Sequence, residues 1–183
     1  MSQLHIVVVC GYGCHLVPEL QGYLDRVAEF AIRHRPDCFI FCGGFTQRKS
    51  APGVSEARMM REYIIPKLIQ ANFRNFREYL EDDSYTTLDN IERAAMKIQG
   101  MEWLWLSGQD MKLTVFCEAT RALKVDYLVR HFVGQRPNLE TASWELMPPW
   151  KQIVSTLCEC AAAKCPPLAR YYRNKRIRRA ERI

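Results

Sequence analysis

Leu4-His5-Ile6-Val7-Val8-Val9-Cys10-Gly11-Tyr12-Gly13 is the stretch that decides the fold. Apart from His5, its run up to Cys10 is apolar and rich in β-branched side chains, and it stops at a pair of glycines. A strand with one wet face alternates apolar and polar residues, whereas a strand covered on both faces does not. The stretch therefore reads as a buried parallel strand meeting its turn. Cys38–Cys42 repeats the pattern and stops at Gly43-Gly44, and Lys112–Cys117 repeats it once more.

Between these strands the apolar period changes. Leu20, Leu24, Val27, Ala28 and Ala31 recur at helical spacing up to Arg33–Pro36, which ends that helix. Ser55–Tyr63 reads as a second helix, with Pro66 expected to interrupt or kink it. Leu88, Ile91, Ala95 and Ile98 mark a third, Ala122, Val125, Val129 and Phe132 a fourth, and Trp150–Ala163 a closing one. Phe76–Leu80 and Leu139–Leu146 supply the weaker strands. Such alternation implies βαβ units. The expected fold is α/β: a Rossmann-like, mostly parallel sheet of about five strands with helices on both faces. Residues 1–165 form one domain in this reading, and 166–183 form a basic C-terminal tail.

The composition, 48% apolar, suits a globular chain rather than a disordered one. No apolar run approaches the roughly 20 residues that cross a bilayer, and Ile6–Cys10 lacks the basic leader of a secretory signal, so the chain reads as cytosolic and without a transmembrane segment. Cys10, Cys14, Cys38, Cys42 and Cys117 lie in or beside strand-like segments and read as buried thiols. Cys158, Cys160 and Cys165 have no second ligand pair to complete a tetrahedral set, so no metal is expected. The formal charge of +6 is concentrated at one end, where Arg170, Arg173, Lys175, Arg176, Arg178, Arg179 and Arg182 face Glu181 alone. Attraction to polyanions is expected of Arg170–Arg182 rather than of the body.

In a parallel α/β sheet, ligands bind beyond the carboxyl ends of the strands. The residues at those ends are accordingly the candidate ligand-binding set. Gly11 permits close backbone approach, but Leu16 occupies the third glycine position of a dinucleotide fingerprint, so a hydride-transfer cofactor is not expected. Gly43 and Gly44 leave backbone amides open to an anion. Ser55 is either an N-cap or a ligand contact, and Glu56 is either a dipole-favoured first-turn acid or a site residue. Glu81, Ser84, Thr87 and Asn90 gather carboxylate, hydroxyl and amide groups at a strand end, and Asn90 is poorly suited to a helix interior. The long polar loop Phe45–Val54 is a further functional candidate. The tryptophans Trp103, Trp105, Trp144 and Trp150 read as packing residues rather than base-stacking ones.

The order and spacing of an apolar strand, Asp25-Arg26, Gly43-Gly44, Ser55-Glu56-Ala57 with Met60, and Leu80-Glu81 with Ser84, Thr87 and Asn90 resemble the YdcF/SanA/ElyC-like domain of unknown function. The likeness runs from about Leu4 to Trp144, and the absence of a membrane segment places it nearer the soluble YdcF type. It implies a Rossmann-like fold, adds Arg26 to the ligand-binding set, and brings S-adenosylmethionine in as a possible ligand. One departure stands out. Where the family carries Thr-Ser-x-x-His-x-x-Arg-Ala after its fourth strand, this chain has Cys117-Glu118-Ala119-Thr120-Arg121 and Lys124, so Arg121 replaces a titratable imidazole and suits anion binding rather than acid–base work. The leading expectation is a small-molecule-binding protein for a nucleotide-like or anionic metabolite. The alternatives are an envelope-precursor hydrolase or transferase acting on a phosphorylated lipid or sugar, and a non-enzymatic module that docks polyanions through its tail.

Overall fold

The structure, a computed structural model, describes residues 3–101, 110–143 and 149–182. Five parallel strands form one sheet: β1 (Leu4–Cys10), β2 (Cys38–Cys42), β3 (Arg77–Glu81), β4 (Met111–Glu118) and β5 (Asn138–Ala142). Their order is β3-β2-β1-β4-β5, a Rossmann-like arrangement whose direction of winding reverses between β1 and β4. The helices are α1 (Pro18–His34), α2 (Glu56–Gln70), α3 (Thr87–Gln99), α4 (Ala122–Val133), α5 (Pro149–Ala163) and α6 (Pro166–Ala180).

The central strand is buried on both faces, as its sequence requires. Val7 and Val9 face one layer with Phe39, Phe41 and Phe116, against α1 and α2. Ile6 and Val8 face the other with Ile40 and Val115, against α3 and α4, where Ala162 of α5 joins them. The outer strands are only partly buried, and for that reason their runs in the sequence are weaker. Pro66 lies inside α2, which continues past it to Gln70, so the expected interruption is not found. The apolar packing of Ile64 and Leu68 on either side of it holds the helix together. The expected fifth strand ends at Ala142, and the remainder of Leu139–Leu146, like Trp103, Trp105 and Trp144, reaches outside the described residues.

The basic segment folds back onto the domain. Its residues form α6, with Ala180 buried and Leu168, Ala169 and Tyr172 packed against the core cluster of α3 and α4. Arg173 donates to the buried carboxylate of Asp89 on α3 (2.8 Å). A tail separated from the body is thereby replaced by a docked helix. All eight cysteines are free thiols, and burial raises the Cys117 thiol to about 12. Among the described residues, no helix is long and apolar enough to cross a membrane.

Candidate functional site

The carboxyl ends of the strands are laced together by backbone hydrogen bonds. Gly11 N donates to Cys42 O (2.7 Å), Gly43 N to Glu81 O (2.8 Å) and Gly44 N to Ser84 O (2.9 Å). These short links require small residues. A Cβ on Gly11 would sit 2.9 Å from Cys42 O and collide with the Glu56 carboxylate, and a Cβ on Gly44 would sit 2.8 Å from Asp82 O. At the winding reversal, Tyr23 of α1 fills the gap, its hydroxyl lying 3.0 Å from both Cys10 O and Phe116 O.

Above this end lies a cavity of about 380 Å³. Of the sequence-expected residues, Gly11, Glu56, Ser84, Thr87, Asn90 and Arg121 line it. Gly43, Gly44, Ser55 and Glu81 stand just behind. Gly43 packs on the Glu56 side chain, and Ser55 caps α2, its Oγ accepting from Arg58 N (3.1 Å). The Glu81 carboxylate turns away from the cavity toward Asp83 N (3.1 Å) and the Arg93 side chain. Arg26 does not join the site. It is exposed on α1, two turns down from the helix end that faces the strand termini, where the buried stripe of that helix directs it to solvent.

The cavity lining also includes residues outside the expected ligand-binding set. Tyr12 and Thr120 come from the turns after β1 and β4, Thr46 and Gln47 from the loop after β2, Lys124 from α4, Ser155 and Glu159 from α5, and Arg176 and Arg179 from α6. The spacing of Lys124 after Arg121 was a usable signal. Glu159 had none, and the α6 arginines were marked only as polyanion-attracting, because only packing brings those helices over the sheet.

The cavity wall is cationic, with Arg121, Lys124, Arg176 and Arg179 converging on it. Arg121 also lies 3.7 Å above the ring centre of Tyr12, a contact that fixes its direction. Lys124 is buried and pairs with the buried Glu159 at 2.8 Å, and desolvation lowers its ammonium pKa against the pull of that carboxylate. Through its other oxygen Glu159 accepts from Leu88 N (3.0 Å), so a side chain of α5 caps α3. Glu56 accepts from Thr46 Oγ1, and burial raises its carboxyl above the usual range, with Thr46 and Arg121 acting in the opposite sense.

Several buried oxygens have no hydrogen-bond partner among the described residues. Ser84 Oγ is buried beneath the residue's own contribution to the cavity lining, and Glu118 Oε1 is buried while the Tyr12 hydroxyl donates to the other oxygen of the same carboxylate (3.1 Å). Burying a polar atom without a partner is costly. Among the described residues, no cluster of three or more His, Cys, Asp or Glu side chains is placed to hold a metal ion. Comparison with protein-family models, with curated proteins and with solved structures finds no match to this chain.

Proposed function

We propose that this protein binds a small, phosphorylated or otherwise anionic metabolite, nucleotide-like in size, in the cavity at the carboxyl ends of β1, β3 and β4. The observation that carries the reading is the convergence of Arg121, Lys124, Arg176 and Arg179 on one cavity wall. Guanidinium groups match the geometry of phosphate and carboxylate oxygens. Thr87 and Asn90 at the start of α3 add a hydroxyl and an amide, with the positive end of the helix dipole behind them. S-adenosylmethionine, suggested by the family likeness, would bring its sulfonium charge to a cationic wall and is the comparator against which the reading is tested.

A thermal-shift screen of inorganic phosphate, nucleoside monophosphates, sugar phosphates and S-adenosylmethionine checks the proposal. A phosphate-bearing compound at 100 times its dissociation constant is expected to stabilise the fold by about 2.7 kcal/mol. Arg121→Ala is expected to abolish that shift, and Arg26→Ala on the exposed face of α1 to leave it unchanged. Stabilisation by S-adenosylmethionine alone, or an anion effect that survives Arg121→Ala, would overturn the reading.

A further inference from the structure

We infer that the outward face of α5 is an attachment surface for a lipid bilayer with anionic headgroups. The helix lies in the plane of the interface, with its apolar side chains among the acyl chains and the neighbouring basic side chains against the headgroups. This surface is separate from the cavity and does not depend on the anion-binding reading.

The polarity of α5 is reversed. A helix on the surface of a folded domain ordinarily points its apolar stripe at the core and its polar stripe at water. In α5 the polar stripe Gln152, Ser155, Thr156 and Glu159 points inward and lines the cavity. The opposite face carries Trp150, Ile153, Val154 and Leu157, each between 51% and 64% exposed. None of the four belongs to either core cluster. Their i, i+3, i+4, i+7 spacing makes them one continuous crest rather than scattered exposures, and among the described residues nothing covers it.

Charge and size select the occupant. Glu159 is the only acidic residue of α5 and α6, and it is buried against Lys124. Lys151, Lys175, Arg178 and Arg182, all exposed, line one groove with Trp150 and Val154, so cations stand beside the crest. A second copy of the chain would bring a like-charged flank against this one, which opposes self-association. A face two helical turns long is by itself short of the roughly 800 Å² that each partner gives to a stable protein interface. A bilayer makes neither demand. It accepts a ridge of any shape, and its anionic headgroups attract the cations. Trp150 suits the boundary between acyl chains and headgroups, and no described helix is long and apolar enough to cross, so the contact is in-plane.

Co-sedimentation of the full chain with vesicles of phosphatidylglycerol and phosphatidylcholine in equal parts, beside vesicles of phosphatidylcholine alone, tests the inference. Partitioning onto the mixed vesicles is expected to be at least about tenfold stronger, because each cation near an anionic surface adds several-fold. Ile153→Gln with Leu157→Gln, at exposed positions that line neither cavity, is expected to lower it by about tenfold or more with the unfolding midpoint unchanged. Leu157→Gln alone, a milder change, is expected to lower it by about threefold. Met96→Gln, at an exposed apolar position on α3, and Arg121→Ala in the cavity are expected to leave it unchanged. Retention that survives the double variant and disappears in salt would reduce the contact to the α6 cations and overturn the inference. Retention lost with Arg121→Ala would put a headgroup in the cavity and overturn it as well. Equal retention on both kinds of vesicle would overturn the choice of an anionic surface. No retention at all overturns the inference outright, and self-association in sedimentation equilibrium that the double variant abolishes would then assign the crest to a second copy.

Discussion

The two ends of the sheet differ in how their charged groups are gathered. At the amino end, His5 N donates to Asp37 (2.8 Å), and the His5 ring is hydrogen-bonded to Thr114 Oγ1 (2.8 Å), while Glu78 Oε2 near the start of β3 is buried without a partner among the described residues. At the carboxyl end, Ser84 Oγ, Glu81 Oε2 and Glu118 Oε1 are buried without partners among the described residues, and four cations share one cavity. An open buried oxygen costs about 1–3 kcal/mol at either end; the four cations gathered around one cavity are what set the carboxyl end apart.

The largest expected effect falls on the buried Lys124–Glu159 ion pair at the carboxyl end. Lys124→Met leaves Glu159 as a buried charge without its cation and is expected to cost about 3–5 kcal/mol in urea unfolding. Lys124→Met with Glu159→Met is expected to cost less than the single change, with the remainder reflecting the lost acceptor for Leu88 N. A double variant as unstable as the single one would show that the pair is not the source of the loss.

Titration sharpens the comparison next. Burial, assisted by Lys112 and His34 and opposed by Asp37, lowers the His5 imidazole to about 4. Its contribution is therefore present above the unfolded value of 6.5 and is lost as pH falls toward 4. Burial raises the Glu81 carboxyl to about 7, with Asp83 N and Arg93 opposing, so its contribution is present below 4.5 and is lost as pH rises through 7. Each is worth about 3 kcal/mol at most. The two slopes have opposite sign and overlap between these limits. Thermal melts of Glu81→Gln are expected to show stability rising with pH across that window, and those of His5→Gln to show it falling. Parallel curves for the two variants would refute the assignment.

Smaller effects concern the helices that close the carboxyl end. Arg173→Ala removes a charged hydrogen bond to the buried Asp89 and is expected to cost about 1.5–3 kcal/mol, measured by denaturant unfolding. No change would mean that α6 is not docked through this contact. Asn90→Ala is expected to shift stability by less than about 1 kcal/mol, because a helix interior favours alanine, while weakening binding of the phosphate ligand by about 5- to 150-fold. Unchanged affinity by calorimetry would remove Asn90 from the site.

The strands and the order of helices were legible because burial on both faces writes itself as unbroken apolar runs in β1, β2 and β4. Half-buried β3 and β5 were fainter for the same reason. Gly11, Glu56, Ser84, Thr87, Asn90 and Arg121 were legible because they follow strand ends directly, where the fold rule points. Arg26 was placed by motif order alone, and its position on the wet face of α1 was not encoded there.

What the sequence by itself determined is thus the layering, since apolar period is a local property that each segment carries alone. What only the tertiary structure decided is the lid of the site. Glu159, Arg176 and Arg179 are distant in the chain from Gly11 and Glu56, and α6 reads in isolation as a charged tail. Its place over the cavity follows from Leu168, Ala169, Tyr172 and Ala180 finding apolar partners and Arg173 finding Asp89, contacts between remote segments that no local pattern records.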